Sequence, residues 1–165
     1  MDGLPCHKEY NLTYSPQITN TDCGLTCVAM LLEPSSKQYL IDNLEEIRNA
    51  AGFGNSTWTI DLCYVLRRFN IKFVYFTKTI GVDESRISDP NYEKSCAKDK
   101  SRVKRRFMEA ESNGISIDKR TVELSAIVRH LANDGPLILL INDSTLECGI
   151  CRKNKVKDNV KVGIL

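Results

Sequence analysis

A cysteine at the start of a predicted helix is the strongest chemical signal in this 165-residue sequence. The residues that follow are apolar with the spacing of one helix face, at Cys23, Cys27, Met30 and Leu31. Other apolar positions fill much of the remaining circumference, and a helix that is apolar nearly all round is typical of a buried position. We therefore predict a central helix over residues 23–32, with a thiol as its first side chain.

The residues around this thiol favour nucleophilic chemistry. Asp22 can cap the helix, and the partial positive charge of a helix N-terminus stabilises a thiolate. Gly24 would let the backbone of a substrate come close, and the amide of Gln17 could donate a hydrogen bond to an oxyanion. Because a glutamine followed by a cysteine at a helix start is the first half of a papain-like site, Cys23 and Gln17 are the predicted catalytic residues. The alternative interpretation is that Cys23 is a small core residue.

The second half of such a site is a histidine that accepts the thiol proton and an Asp or Asn that orients it. The sequence contains two histidines, His7 in an aperiodic lead-in and His130 at the border of an apolar helix stripe. Neither is well placed to act as the base. Activation of Cys23 would then rest on the helix dipole, a modest effect of about 1 kcal/mol. Little peptidase activity is therefore predicted.

The order of the predicted elements indicates an α+β fold. They comprise helices over 37–50, 58–69, 100–112 and 122–133, strands over 71–77, 115–118 and 137–141, and a long polar loop over 81–98. This order agrees with a papain-like cysteine-peptidase fold, in which a helical half carries the nucleophile and an antiparallel sheet half carries the base. Since no histidine follows His130, the sheet half is predicted to be incomplete.

Three other polar features have a simpler structural explanation than a functional one. Trp58 could form the wall of a cleft, but an aromatic anchor of the core is the favoured interpretation. Asp61 suits the first turn of a helix without any function. The basic run at 104–106 fits a solvated helix face better than a surface for nucleic acid.

The sequence predicts no metal and no cofactor. Cys148 and Cys151 form a CxxC pair, which is half of a zinc site, and the Cys6-His7 pair has no further ligand nearby. The absence of a leader segment and of a long apolar run predicts no membrane association. Seven cysteines then favour reduced thiols in the cytoplasm, and also in the nucleus, over a disulfide framework.

Two families resemble parts of this chain. The segment from Gln17 to Cys27 resembles the start of the bacterial double-glycine leader peptidases, where the glutamine is the oxyanion donor and the cysteine before glycine is the nucleophile. A closer resemblance, over residues 14–151, is to the eukaryotic guanylyl cyclase domain-containing protein family. It is carried by DCGLTC (22–27), STWTIDLCYVLRRF (56–69), TKTIGVD (77–83) and the CxxC at 148–151.

The resemblance implies a lead-in over 1–16, a papain-like domain over 17–151 and a divergent basic tail over 152–165. In these families a histidine-bearing strand follows the strand at 137–141, so it also implies a C-terminally truncated form, inactive or regulatory, with an unidentified protein or peptide partner. The family name implies a different function, conversion of GTP to cyclic GMP, although no Gly-rich phosphate loop is present. A third hypothesis is a binding module that kept the fold and lost the chemistry.

Overall fold

The computed structural model describes residues 4–17, 19, 21–54, 56–86, 90–140 and 163–164. These residues form an α+β structure, which confirms the predicted class. The helices are α1 (Cys23–Leu31), α2 (Pro34–Asp42), α3 (Leu44–Ala51), α4 (Thr59–Arg68), α5 (Pro90–Glu109) and α6 (Leu124–Asn133). The strands are β1 (Tyr75–Thr77), β2 (Ile117–Lys119), β3 (Leu139–Leu140) and β4 (Gly163–Ile164), with a 3-10 turn at Glu84–Arg86.

The predicted central helix is confirmed as α1. No residue of α1 is exposed, and Leu25, Val28 and Ala29 are buried where the helix packs against α2 and α4. Burying a side chain such as Leu25 or Val28 contributes about 1.5–3 kcal/mol to folding. The apolar circumference of the helix therefore determines its position inside the helical part of the molecule.

Helix α4 joins two hydrophobic clusters. Leu62, Val65 and Leu66 face the first cluster, which includes the buried side chains of α1. Ile60 and Cys63, on another side of the same helix, belong to a second cluster with residues of α5 and β1. The predicted helix over 58–69 agrees with α4 to within a residue at each end. Because α4 supplies both clusters, it is the element that connects the helical part to the sheet.

The single helix predicted over 37–50 is wrong, because the chain forms two helices there. Helix α2 ends at Asp42 and α3 begins at Leu44, with Asn43 between them. The Asn43 side chain donates through Nδ2 to the carbonyl of Tyr39 at 2.9 Å, and its backbone N–H reaches the same carbonyl at 3.0 Å. Asparagine side chains compete in this way with the helical hydrogen-bond ladder, which interrupts the helix.

The prediction of an antiparallel sheet is wrong for the first two strands. Strands β1 and β2 are parallel, with Tyr75 opposite Ile117 and Thr77 opposite Lys119, whereas β3 and β4 pair antiparallel. Parallel neighbours need a long crossover connection, and α5 lies in that connection. The predicted loop over 81–98 is accordingly wrong from residue 90 onward, because α5 already begins at Pro90. Proline is well tolerated at a first helical position, so it marks the start of this helix.

Helix α6 confirms the helix predicted over 122–133 but contains no buried residue. Its apolar side chains Leu124 and Val128 are exposed. Tyr10 of the lead-in donates its hydroxyl to the Leu131 carbonyl at 2.7 Å, which ties the start of the chain to α6. None of the helices in the described ranges is long and apolar enough to cross a membrane.

Candidate functional site

Cys23 is the first residue of α1 and its side chain is neither fully buried nor fully exposed. The rest of α1 is held in the core, so the thiol lies at the one end of the helix that the approaching loop reaches. Backbone N–H groups in the first turn of a helix have no partner within it and carry partial positive charge. This arrangement, a partly exposed thiol at a rigidly packed helix start, is typical of a reactive cysteine.

The loop before α1 is held by buried polar groups. Asp22 has only 2% of its surface exposed, and its Oδ2 accepts the backbone N–H of Thr19 at 3.0 Å. Its carboxylate makes no cap to α1, which corrects the predicted role of its side chain. Arg48 of α3, 1% exposed, donates through NH2 to the hydroxyl of Thr19 at 3.3 Å. Thr19, between Gln17 and Cys23, is thus held both by Asp22 of the same loop and by Arg48 of α3.

Gln17 lies on the surface of this loop with its side chain exposed. Six residues separate it from Cys23, and the loop is anchored between them at Thr19. Its amide is consequently in solvent, where it is accessible to a ligand. The role of oxyanion donor stays a prediction for Gln17, as the role of nucleophile does for Cys23.

Gly24 has a structural explanation that differs from the predicted one. A Cβ atom placed on Gly24 would lie 2.6 Å from Cδ1 of Leu62, a buried residue of α4. The missing side chain therefore allows α1 and α4 to pack closely. The expectation that Gly24 makes room for a substrate backbone stays a prediction beside this helix–helix contact.

Neither histidine is placed beside Cys23 by an observed contact. His130 is exposed on α6, where its Nδ1 lies 3.3 Å from Asp134, and it lines a cleft together with Leu31. Leu31 is the last residue of α1, about 12 Å along the helix axis from Cys23. His7 is exposed and pairs with Glu9 at 3.0 Å. The exposure of His130 agrees with its predicted position at the border of the apolar stripe.

The other thiols of the helical part differ from Cys23 in their surroundings. Burial, and to a smaller extent the nearby thiol of Cys23, raises the pKa of Cys27 above its usual value. Burial raises the pKa of Cys63 far above the range of an ordinary thiol, with the charge of Asp61 adding to the effect. Cys63 also donates to the Thr59 carbonyl at 3.5 Å. Both residues therefore remain protonated at neutral pH and are poor nucleophiles.

A buried ionic cluster between α4 and α5 is the feature that sequence reasoning missed. Asp61 has no exposed surface and pairs with Arg102 and with Arg106, whose Nε lies 3.1 Å from Oδ1. Asp99 pairs with Arg102 at 3.2 Å. The expectation of a solvated face at 104–106 is wrong for Arg106, which is 8% exposed. The spacing of residues 99, 102, 103 and 106 places them on one face of α5 and could have indicated it.

Trp58 takes part in the same cluster. Its indole Nε1 donates to Oδ2 of Asp99 at 3.0 Å, and its ring packs against the second hydrophobic cluster. Ser56 also donates to Asp99. Burial alone would raise the pKa of Asp99, but the hydrogen bonds from Ser56, Trp58 and Arg102 hold it below the usual value. Trp58 is therefore an aromatic anchor, as the favoured interpretation predicted. In the ionic cluster, the charges of Arg102 and Arg106 balance those of Asp61 and Asp99.

The described residues contain no group of three or more His, Cys, Asp or Glu side chains that could hold a metal ion. Cys148 and Cys151, the predicted half of a zinc site, lie outside the described residues. The exposed Cys6 and His7 belong to no such group.

The structure and site define an α+β protein with a cysteine at the start of a packed helix, and comparison with known proteins adds the family. A family model described as guanylylate cyclase matches residues 12–163. A protein of Arabidopsis thaliana named Guanylyl cyclase 1 is 33% identical over 126 residues, which are 76% of this chain and 44% of that relative. The chain belongs to this guanylylate cyclase family, and the predicted family resemblance is confirmed. It spans less than half the length of the relative, and no solved structure matches it.

Proposed function

We propose that this chain is the nucleophile-bearing part of a papain-like domain, with Cys23 as the nucleophile and Gln17 as the oxyanion donor. The proposal rests chiefly on one observation, the partly exposed thiol of Cys23 at the first position of the packed helix α1. Thr19, which lies between Gln17 and Cys23 in the chain, is held by Asp22 and Arg48, and this anchoring supports the proposal.

The chemistry of such a site depends on its leaving group. The sulfur of Cys23 would add to a carbonyl carbon, and the amide of Gln17 would stabilise the resulting oxyanion. Expulsion of an amine requires a proton from a general acid, whereas a phenolate or thiolate leaves without one. Since neither histidine contacts Cys23 in the described part of the chain, the site acylates with activated esters and does not cleave peptides. The chain then serves as an inactive or regulatory form that binds a protein or peptide.

Acylation by p-nitrophenyl acetate tests this function. We expect one equivalent of p-nitrophenol in a rapid phase, with an acetyl group on Cys23 by peptide mass spectrometry, and no cleavage of fluorogenic peptides. Gln17→Ala should slow acylation by roughly tenfold or more, because one oxyanion donor is worth that much or more in related sites. Cys27→Ala is the matched control and should leave the rapid phase unchanged. Acetylation spread over Cys6 and Cys27 would contradict the proposal.

A second candidate function is the formation of cyclic GMP from GTP, and the family match and the name of the relative support it. In that reaction the ribose 3′-hydroxyl attacks the α-phosphate and pyrophosphate leaves. The test is incubation with GTP and Mg²⁺ or Mn²⁺, followed by measurement of cyclic GMP. Because the reaction needs no thiol, cyclic GMP formed equally by Cys23→Ala would favour this candidate over the first.

A further inference from the structure

A cleft of about 720 Å³ lies at the C-terminal end of α1, the end remote from Cys23. Most of its lining is apolar, and its main contributors are Leu31, Leu66, Phe73, Phe76, Ile127 and Ile138. Neither Cys23 nor Gln17 belongs to the lining, and α1 contributes its last residue. A volume between about 300 and 1,000 Å³ with mostly apolar walls is typical of sites for small ligands. The cleft is therefore a candidate binding site that is independent of the thiol.

Helix α6 lines one part of the cleft, and its apolar side chains are not buried in the core. Ala126 and Ile127 of α6 line the cleft, and no residue of α6 is buried. Residues 71–74, just before β1, also line the cleft. An amphipathic helix normally buries its apolar side against the protein. Here Ala126 and Ile127 of that side line the cleft, which leaves apolar surface for the body of a ligand.

The charged residues at the cleft are predominantly basic. Lys72, Arg120 and His130 line it together with a single acid, Asp134. Asp134 is paired with His130, and Arg120 is paired with Asp118 at 3.1 Å. Lys72 is exposed and makes no ion pair with any residue in the described ranges. Within the described part of the chain, the lining thus carries one charge without an ion-pair partner, the cation of Lys72.

We propose that this cleft binds one monomeric long-chain carboxylate, with the acyl chain in the apolar part and the carboxylate beside Lys72. An uncharged hydrocarbon would leave the Lys72 cation uncompensated, and a quaternary amine would be repelled by it. The concave shape encloses a single chain and does not present a flat apolar surface to a bilayer. This inference does not depend on the proposed thiol chemistry.

Calorimetric titration with four amphiphiles, each below its critical micelle concentration, tests the proposal. Dodecanoate should bind to one site, and tetradecanoate should bind about fifteenfold more tightly, because each buried methylene contributes equally. Dodecanol should bind several-fold more weakly than dodecanoate, and dodecyltrimethylammonium should bind most weakly. Affinity that is the same for all three twelve-carbon headgroups would overturn the assignment of a carboxylate.

Two variants and two controls connect the binding to the cleft. Lys72→Glu should weaken the binding of dodecanoate by roughly fivefold or more and strengthen the binding of dodecyltrimethylammonium. Lys104→Glu makes the same charge change on the exposed face of α5 and should change neither affinity. Ala126→Trp, at an exposed position of α6, should block binding while circular dichroism stays native. Cys23→Ala should bind dodecanoate normally, which separates this inference from the proposed function. Dodecanoate binding that survives Ala126→Trp, or that occurs only to vesicles containing the acid, would refute the proposal.

Discussion

Arg102 of α5 hydrogen-bonds both carboxylate oxygens of Asp61, a residue of the first turn of α4 with no exposed surface. One helical turn further along α5, Arg106 reaches the same carboxylate with its Nε. Asp61 also accepts the backbone N–H of Trp58 at 2.8 Å. The carboxylate therefore binds both the backbone at the start of α4 and two successive turns of α5. It holds together the two helices that carry the second hydrophobic cluster.

Removing this carboxylate should be strongly destabilising. Asp61→Ala would leave two buried guanidinium groups without their counter-charge, and breaking a buried pair in this way typically costs about 3–5 kcal/mol. Urea denaturation followed by circular dichroism measures the free energy of unfolding. Asp118→Ala, which removes the exposed pair with Arg120, is the control and should cost about 1 kcal/mol or less. Equal losses in the two variants would contradict a structural role for the buried cluster.

The charge of Asp99 should make stability depend on pH in a defined direction. Its pKa in the folded protein lies below the usual value of about 3.9. A depressed carboxyl pKa contributes stability above the unfolded pKa, and that stability disappears as the pH falls through the folded pKa.

The comparison with Asp99→Asn isolates this contribution, because both proteins share every other titrating group, including Asp61. We expect the wild type to be more stable by about 1–3 kcal/mol at pH values near neutrality. The difference should shrink as the pH falls below about 4. Urea midpoints measured across this range provide the check, and a difference that does not change with pH would rule out the ionised Asp99 as its source.

The close contact between Gly24 and Leu62 predicts that two substitutions are coupled. Gly24→Ala should destabilise the chain by about 1 kcal/mol, since the overpacking of a tight contact outweighs the higher helix propensity of alanine. In a Leu62→Ala background the contact is gone, so the same substitution should become neutral or stabilising. The free energies of unfolding of the four proteins form a double-mutant cycle. Independent, additive effects would show that the contact does not restrict residue 24.

The thiols of Cys27 and Cys63 should differ from an ordinary thiol in their response to pH. Iodoacetamide reacts with the thiolate, and burial raises the pKa of both residues. Alkylation of Cys27 should therefore become rapid only above the usual thiol value of about 8.5, and Cys63 should react only when urea unfolds the chain. Peptide mass spectrometry at several pH values measures each rate. Rapid labelling of Cys63 in the native protein would contradict its buried position.

The bounds of a helix can be predicted best from the sequence where one side of the helix is consistently apolar. The bounds of α1 and α4 follow from such periodicity, and the start of α1 at Cys23 follows with them. The break at Asn43 was missed because the apolar spacing of residues 37–50 continues across it. The start of α5 at Pro90 was missed because the polar residues there indicated a loop. In the second case the polar face of α5 is itself buried, against Asp61.

The candidate site was predictable only in part for a related reason. The position of Cys23 depends on local pattern, whereas the meaning of Gly24 depends on which helix packs against it. Leu62 is remote in sequence, and no spacing within α1 indicates that contact. The pairing of Asp61 with Arg102 and Arg106 likewise joins residues about forty apart in the chain.

The most direct test of the central claim is the rate at which each native cysteine is alkylated by iodoacetamide at pH 7. Cys6 is exposed and lies outside every helix, so it serves as an internal reference for an accessible, unactivated thiol. We expect Cys23 to react several-fold faster than Cys6, and Cys27 to react more slowly than Cys6. A Cys23 that reacts more slowly than Cys6, or only after urea is added, would contradict the assignment of Cys23 as a nucleophile.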